Sequence, residues 1–224
     1  MGAGVLAETW DWLANGANWS GESGVWHRIG EHVYVSGVAL AIACAVALPV
    51  GLFLGHLGKG GALAVNVSNA GRAVPVFAVL ALFMVSPLRN AGYLPTIAAL
   101  VLFAIPPLLT NAYVGMREVD RSVVEAARGM GMSGRQLFLR VELPLARALV
   151  MTGLRSGAVQ VVATATIAAM VGQGGLGRII TAGFNTYNTP QVVAGALLVA
   201  ALALLVEGAL VAADRLLPRS ATSR

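Results

Sequence analysis

REVDRSVVEAARGMGMSGRQLFLRVELPLAR, Arg117 to Arg147, is the one dense polar stretch of an otherwise apolar chain, and long apolar runs flank it on both sides. Such a segment between two apolar helices is a loop held at a membrane surface. It reads as a docking surface for a soluble partner. Composition agrees: 57% of the 224 residues are hydrophobic and 11% charged, which is too apolar for a soluble domain and long enough for several membrane spans.

Working outward from the loop, uncharged runs mark the spans, because a hydrocarbon core of about 30 Å needs about 20 apolar residues in a helix. Five emerge, near 33–55, 61–85, 91–114, 148–171 and 191–213. The fold class is therefore an all-α integral membrane protein with five transmembrane helices and the polar loop between helices 3 and 4. Basic residues prefer the cytoplasmic side. Lys59, the loop arginines 117, 121, 128, 135, 140 and 147 and the tail arginines 215, 219 and 224 fall on one face, against Arg28, Arg89 and Arg178 on the other. The loop is predicted to be cytoplasmic and the N-terminus external. The organisation expected is an external interfacial segment over 1–32, a five-helix transmembrane domain over 33–216 with its loop at 117–147, and a cytoplasmic tail over 217–224. The net charge of +5 follows from this bias and needs no nucleic acid.

Residues 1–32 lack a basic stretch followed by an apolar one, so they do not read as a cleavable signal peptide. All four tryptophans, Trp10, Trp12, Trp19 and Trp26, fall there. Indoles favour the membrane interface, where an apolar ring and a polar N–H are both accommodated. An interfacial helix and turn is expected; a cage for a cationic ligand would need the rings to converge. Pro49, Pro75, Pro106 and Pro107 are expected to break or kink spans, and GLFLG (Gly51, Gly55) and GLRSG (Gly153, Gly157) to let helices approach closely. Cys44, the single cysteine, cannot form an intrachain disulfide.

Three ionisable residues lie within the predicted spans, where each is costly unless paired or facing water. Arg155 lies eight residues after Arg147 and Glu207 eight before Arg215, so similar depth and an interhelical ion pair are expected. Arg72 sits deeper, about 16 Å into its helix. It would attract a zwitterion's carboxylate, or snorkel or pair structurally. Two G-x-G-x-x-G matches, Gly129–Gly134 and Gly172–Gly177, lack the strand and βαβ setting that a dinucleotide site requires. His27, His32 and His56 have no metal-ligand spacing, and no Ser/His/Asp or Cys/His constellation is legible. No catalytic residue, metal or bound cofactor is expected of this chain.

Within the loop, SVVEAARGMG has helix formers around Glu125, Ala126 and Ala127, then glycines that can end a helix. Ser133 with Gln136 three residues later has the form of a capping box, and RQLFLRVEL continues until Pro144 interrupts it. Two short helices joined at Gly131 are predicted. Val123, Val124, Leu137 and Phe138 would give a partner an apolar contact, small alanines would let it approach, and arginines would form a rim. An amphipathic loop lying on anionic lipid is the plainer alternative.

The spacing EAA, three residues, Gly, nine residues, an aliphatic residue, one more, then Leu-Pro is met by Glu125, Ala126, Ala127, Gly131, Val141, Leu143 and Pro144. It resembles the EAA signature of permease subunits of ATP-binding cassette importers. The resemblance implies that this loop is a coupling helix seated in a groove of a cytoplasmic ATPase dimer, which alone uses ATP. ANWSGESGVWHRIGEH, ALPVGLFLGH, NAGRAVPVFAVLALF and VVATATIAAMVGQGGLGRII extend the likeness to the osmoprotectant branch, whose solutes are glycine betaine, carnitine, choline and proline. Methionine-type importers share the plan and are the alternative substrate class.

Aromatic residues are 6% of the chain, and those in the spans, Phe53, Phe77, Phe83, Phe103 and Tyr113, are scattered, which argues against a quaternary-ammonium cage in the bundle. Selectivity would belong to a separate extracytoplasmic binding protein, as the resemblance also implies, docking on outer loops that include residues 173–188. Five helices make half a pathway, so a second permease subunit, identical or homologous, is required in a bacterial cytoplasmic membrane. A non-transporting scaffold leaves the full spacing unexplained, and an intramembrane enzyme lacks a nucleophile or metal ligands.

Overall fold

Alternation of long apolar runs with glycine and proline punctuation gives a chain that is helical almost throughout. The computed structural model describes residues 2–216, without the side chains of residues 2, 3, 65 and 72; the tail expected over 217–224 lies outside the described residues. Ten α-helices and no strand occur among them: α1 (Gly2–Ala14), α2 (Val25–Leu57), α3 (Gly61–Ala73), α4 (Val76–Val85), α5 (Leu94–Arg117), α6 (Arg121–Gly129), α7 (Gly134–Leu137), α8 (Leu143–Ala165), α9 (Gly177–Asn185) and α10 (Thr189–Leu216).

Four helical stretches are long and apolar enough to cross a membrane on their own: α2, α5, the run from Gly134 to Val171 that contains α8, and α10. The second predicted span departs from a single rod. Val74 is extended, as the residue before a proline tends to be, and Pro75 carries the same conformation into the start of α4, so the stretch forms the broken pair α3 and α4. At the other sites where a break or kink is expected the helices are unbroken: Pro49 lies inside α2, and Pro106 and Pro107 lie inside α5.

The chain divides into two compact units. One comprises residues up to Leu40, Pro75–Val101 and Ala158–Glu207. Its interior has Val25, Leu176, Ile179 and Val199, against which Trp12, Trp19 and Ile29 pack, and a second cluster of Leu80, Ala99 and Ala168. The tryptophan-rich segment is a helix and a turn: the Trp19 indole N–H donates to the Leu13 carbonyl at 2.6 Å, and its ring meets that of Trp26 at 5.1 Å. Trp10 and Trp26 are exposed while Trp12 and Trp19 pack inward.

The other unit comprises Ala41–Val74, Leu102–Gly157 and the chain from Gly208 onward. Here three of the four glycines of the small-residue faces do what their spacing predicts, whereas a Cβ on Gly157 would make only ordinary contact, 3.4 Å from Leu108 Cγ. A Cβ added to Gly51 would stand 2.6 Å from the Leu109 carbonyl oxygen, one on Gly55 2.5 Å from Met116 Cβ, and one on Gly153 2.6 Å from Asn111 Cβ. Helices α2 and α8 therefore touch α5 backbone to backbone, and only glycine leaves room.

Candidate functional site

The loop from Arg117 to Arg147 lies wholly in the second unit. Asp120 caps α6 by accepting a hydrogen bond from the Ser122 N–H at 2.8 Å. That bond, with a further one from the Ser122 side chain, holds the Asp120 carboxyl below its ordinary range. At the other end, the Gly131 N–H donates to the Arg128 carbonyl at 2.9 Å and the Met132 N–H to that of Ala127 at 3.2 Å. With Gly131 at φ +84°, these are the two bonds of a Schellman motif. The loop glycine of the signature is thus the residue that lets the chain turn out of α6. Ser133 then opens α7 with the predicted capping box: the Ser133 N–H donates to Gln136 Oε1 at 2.8 Å, and the Gln136 N–H to Ser133 Oγ.

Pro144 does not interrupt the helix as expected. Phe138–Glu142 forms a π-helical turn, closed by the Leu143 N–H reaching the Phe138 carbonyl, and α8 follows directly with Pro144 in its first turn. A proline lacks its own N–H, and its ring collides with the carbonyl four residues back in a regular α-helix. Widening that turn removes the collision.

The seven signature residues have different surroundings. Glu125 and Ala126 are exposed; Ala127 is 2% exposed and points inward; Val141, Leu143 and Pro144 are half-buried. Ala127 joins Met116, Val119, Val124, Leu137 and Ala146 in one apolar core, against which Phe138 and Val141 pack. This corrects the expected contact surface: Val124 and Leu137 are each 1% exposed and hold the loop to its own spans. What remains outward is Val123, Met130 and Leu139, beside Arg121, Arg128, Arg135 and Arg140.

Sequence reasoning missed two partners of the loop. Glu142, buried, pairs with His56 of α2, whose ring also stands edge-on to Phe138 at 5.3 Å. Arg147 reaches Asp214 of α10 at 3.1 Å. Only the position of an acid inside the otherwise apolar run VELPL hints at the first pair.

Of the residues expected inside spans, Arg155 lies on α8 and Glu207 on α10, both half-buried. Arg72 lies on α3, and its side chain is outside the described residues. The glycine-rich segment 172–177, in the first unit, receives a carboxylate of this chain. Glu31 accepts from the Gly175 N–H at 2.9 Å, the Tyr93 hydroxyl at 2.6 Å and Arg28 at 2.7 Å, and the Leu176 N–H donates to His32 Nδ1 at 3.3 Å. A Cβ on Gly174 would stand 2.5 Å from Glu31 Oε1, so the second G-x-G-x-x-G match is a cradle for Glu31. Beside it opens a cleft of about 320 Å³ lined by Arg28, Arg89, Asn90, Gln173 and Arg178.

Residues 47–218 match the family model described as binding-protein-dependent transport system inner membrane component. The chain is 34% identical over 189 residues to the glycine betaine/carnitine/choline transport system permease protein OpuCB of Bacillus subtilis (strain 168), covering 84% of this chain and 86% of that one. It is 39% identical over 180 residues to the carnitine transport permease protein OpuCB of Listeria monocytogenes, covering 80% and 82%. A choline transport system permease protein, OpuBB of Bacillus subtilis (strain 168), is 34% identical over 194 residues, covering 87% and 88%. In fold the chain is similar to an inward-facing structure of the MetNI methionine ABC transporter, with a TM-score of 0.74 at 22% identity over 85% of this chain and 94% of that one.

Proposed function

The chain belongs to the family of binding-protein-dependent transport system inner membrane components, and from that premise we propose that it serves an ATP-driven importer of glycine betaine, carnitine, choline or a related osmoprotectant. It is a multi-pass inner-membrane permease subunit. The chain forms half of a translocation pathway and is completed by a second permease subunit, identical or homologous. ATP is bound and hydrolysed by a cytoplasmic ATPase dimer, and this chain binds no cofactor.

The observation that carries the coupling reading is the outward pair Glu125 and Ala126 on a helix fixed at both ends, capped by Asp120 and closed at Gly131, with arginines around it. A groove on the ATPase would receive α6, and closure of the ATPase dimer would draw the loop and its attached spans with it. Solute would then enter from an extracytoplasmic binding protein. Its docking surface includes residues 173–188, of which Gln173 and Arg178 line the cleft and Phe184 and Tyr187 are exposed. Replacing that loop abolishes uptake if docking occurs there, and unchanged uptake removes the assignment.

The test of the function is competition-controlled uptake of labelled glycine betaine by transport-deficient cells expressing the complete importer, with and without a bulky residue at position 131. Uptake that depends on ATP, is blocked by betaine-like solutes and is lost with the replacement supports an osmoprotectant importer coupled through this loop. Uptake of methionine in place of betaine keeps the mechanism and discards the substrate class.

A further inference from the structure

Glu142 is 2% exposed, and its partner His56 comes from the last turn of α2, 86 positions away in sequence. A carboxylate in such a place is tolerated only when paired. The pair is also tied mechanically at both ends. His56 is one residue beyond Gly55, where an added Cβ would stand 2.5 Å from Met116 Cβ and 2.9 Å from the Tyr113 carbonyl oxygen, and its ring meets the edge of Phe138. Glu142 is the last residue of the π-helical turn that joins the capped α7 to α8, and its neighbour Val141 packs on the core that contains Val124 and Ala127 of α6.

We propose that the His56–Glu142 pair is a strut that makes the end of α2 move as one body with α6, so that displacement of the coupling loop is delivered to α2 as well as to the spans continuous with the loop. The two are positioning residues: they touch neither solute nor ATPase. Breaking the pair would strand a buried carboxylate, so it stays closed through the transport cycle. Phe138 and the core beneath α6 set its geometry, and no other acid or base among the described residues has a hydrogen bond or ion pair with either member. The proposal rests on the coupling reading given above.

The experiment uses the complete importer, with permease, ATPase and binding protein, in liposomes. ATP hydrolysed per labelled glycine betaine imported is compared for the unsubstituted protein, H56N and E142Q. Both substitutions are expected to raise that ratio by about fivefold or more, the lower end of what coupling between sites amounts to. The exchange H56E/E142H brings it back. A merely structural role would lower hydrolysis and import together and leave the ratio where it was, and that result overturns the strut. A second measurement needs no solute and no substitution of the pair: spin labels at Leu57 and Val123, both exposed, in the permease assembled with its ATPase. Their separation is expected to be the same with and without ATP. A separation that changes on ATP binding overturns the proposal, whereas failure to import betaine bears only on the substrate class.

Discussion

Adjacent alanines of the signature do opposite work. Ala127 is 2% exposed within the loop core, whereas Ala126 faces outward. Ala127→Leu therefore overpacks that core and is expected to destabilise the permease by about 1–3 kcal/mol, read as earlier thermal unfolding of the purified protein. Ala126→Leu should leave unfolding unchanged and instead lose ATPase on co-purification. An equal stability loss for both would contradict the inward–outward assignment. Gly131 is a third kind of position: a Cβ there meets nothing within 4 Å, yet φ is +84°. Gly131→Ala is expected to cost about 1 kcal/mol through backbone strain alone, so even a small residue weakens the turn. Asp120 adds a pH dependence. Its carboxyl titrates below the ordinary range because Ser122 donates to it, so its contribution to α6 is fully present above the ordinary carboxylate pKa. That contribution is lost as pH falls through the lowered value, and amide exchange in α6 should quicken over that window in the native protein but not in Asp120→Asn, whose cap has no charge to lose.

At the scale of elements, the loop shows which kinds of information a sequence carries locally. Its first short helix, the turn at Gly131 and the Ser133–Gln136 capping box that opens the second helix were legible because each is fixed by residues a few positions apart, whereas the expected end of that second helix at Pro144 was not met. Ser133→Ala should remove the box and cost about 1 kcal/mol, measured as thermal stability of the purified permease. The glycine faces at 51, 55 and 153 were legible for the same reason: spacing along one helix sets the face. What was misread depends on the partner surface. Val124 and Ala127 lie three apart and share a side of α6, a pattern equally fit for an ATPase groove or for the chain's own core, and only Met116, Val119 and Leu137 beneath them decide it. The π-helical turn before Pro144 and the pairing of Glu142 with His56 were illegible, since the first replaces a kink by a local widening and the second joins segments 86 positions apart.

For the whole molecule, the number of crossings follows from parity once the ends of two helices are located. The end of α2 and the start of the loop are neighbours: Arg117 Nη1 stands 2.8 Å from where a Cβ on Gly58 would be, and His56 pairs with Glu142. Both points are therefore on one side of the membrane, and the chain between Leu57 and Arg117 must cross an even number of times. Helix α5 supplies one crossing, so the broken pair α3 and α4 supplies the other, and with α2, the helix through α8, and α10 the count is five. With an odd count, the bias of basic residues predicts that the arginine-rich loop faces the cytoplasm and that the segment before α2 lies on the opposite side. The check is labelling of single cysteines by a membrane-impermeant reagent in a Cys44→Ala background, at Lys59, Arg89, Met130 and Tyr187, all exposed. In intact cells Arg89→Cys and Tyr187→Cys should react and Lys59→Cys and Met130→Cys should not, with the pattern reversed in inside-out vesicles. If Lys59→Cys and Arg89→Cys label from the same side, α3 and α4 do not cross together. The end of α2 would then have to lie across the bilayer from the loop to which Glu142 joins it, and both the five-span fold and the strut would be lost in one experiment.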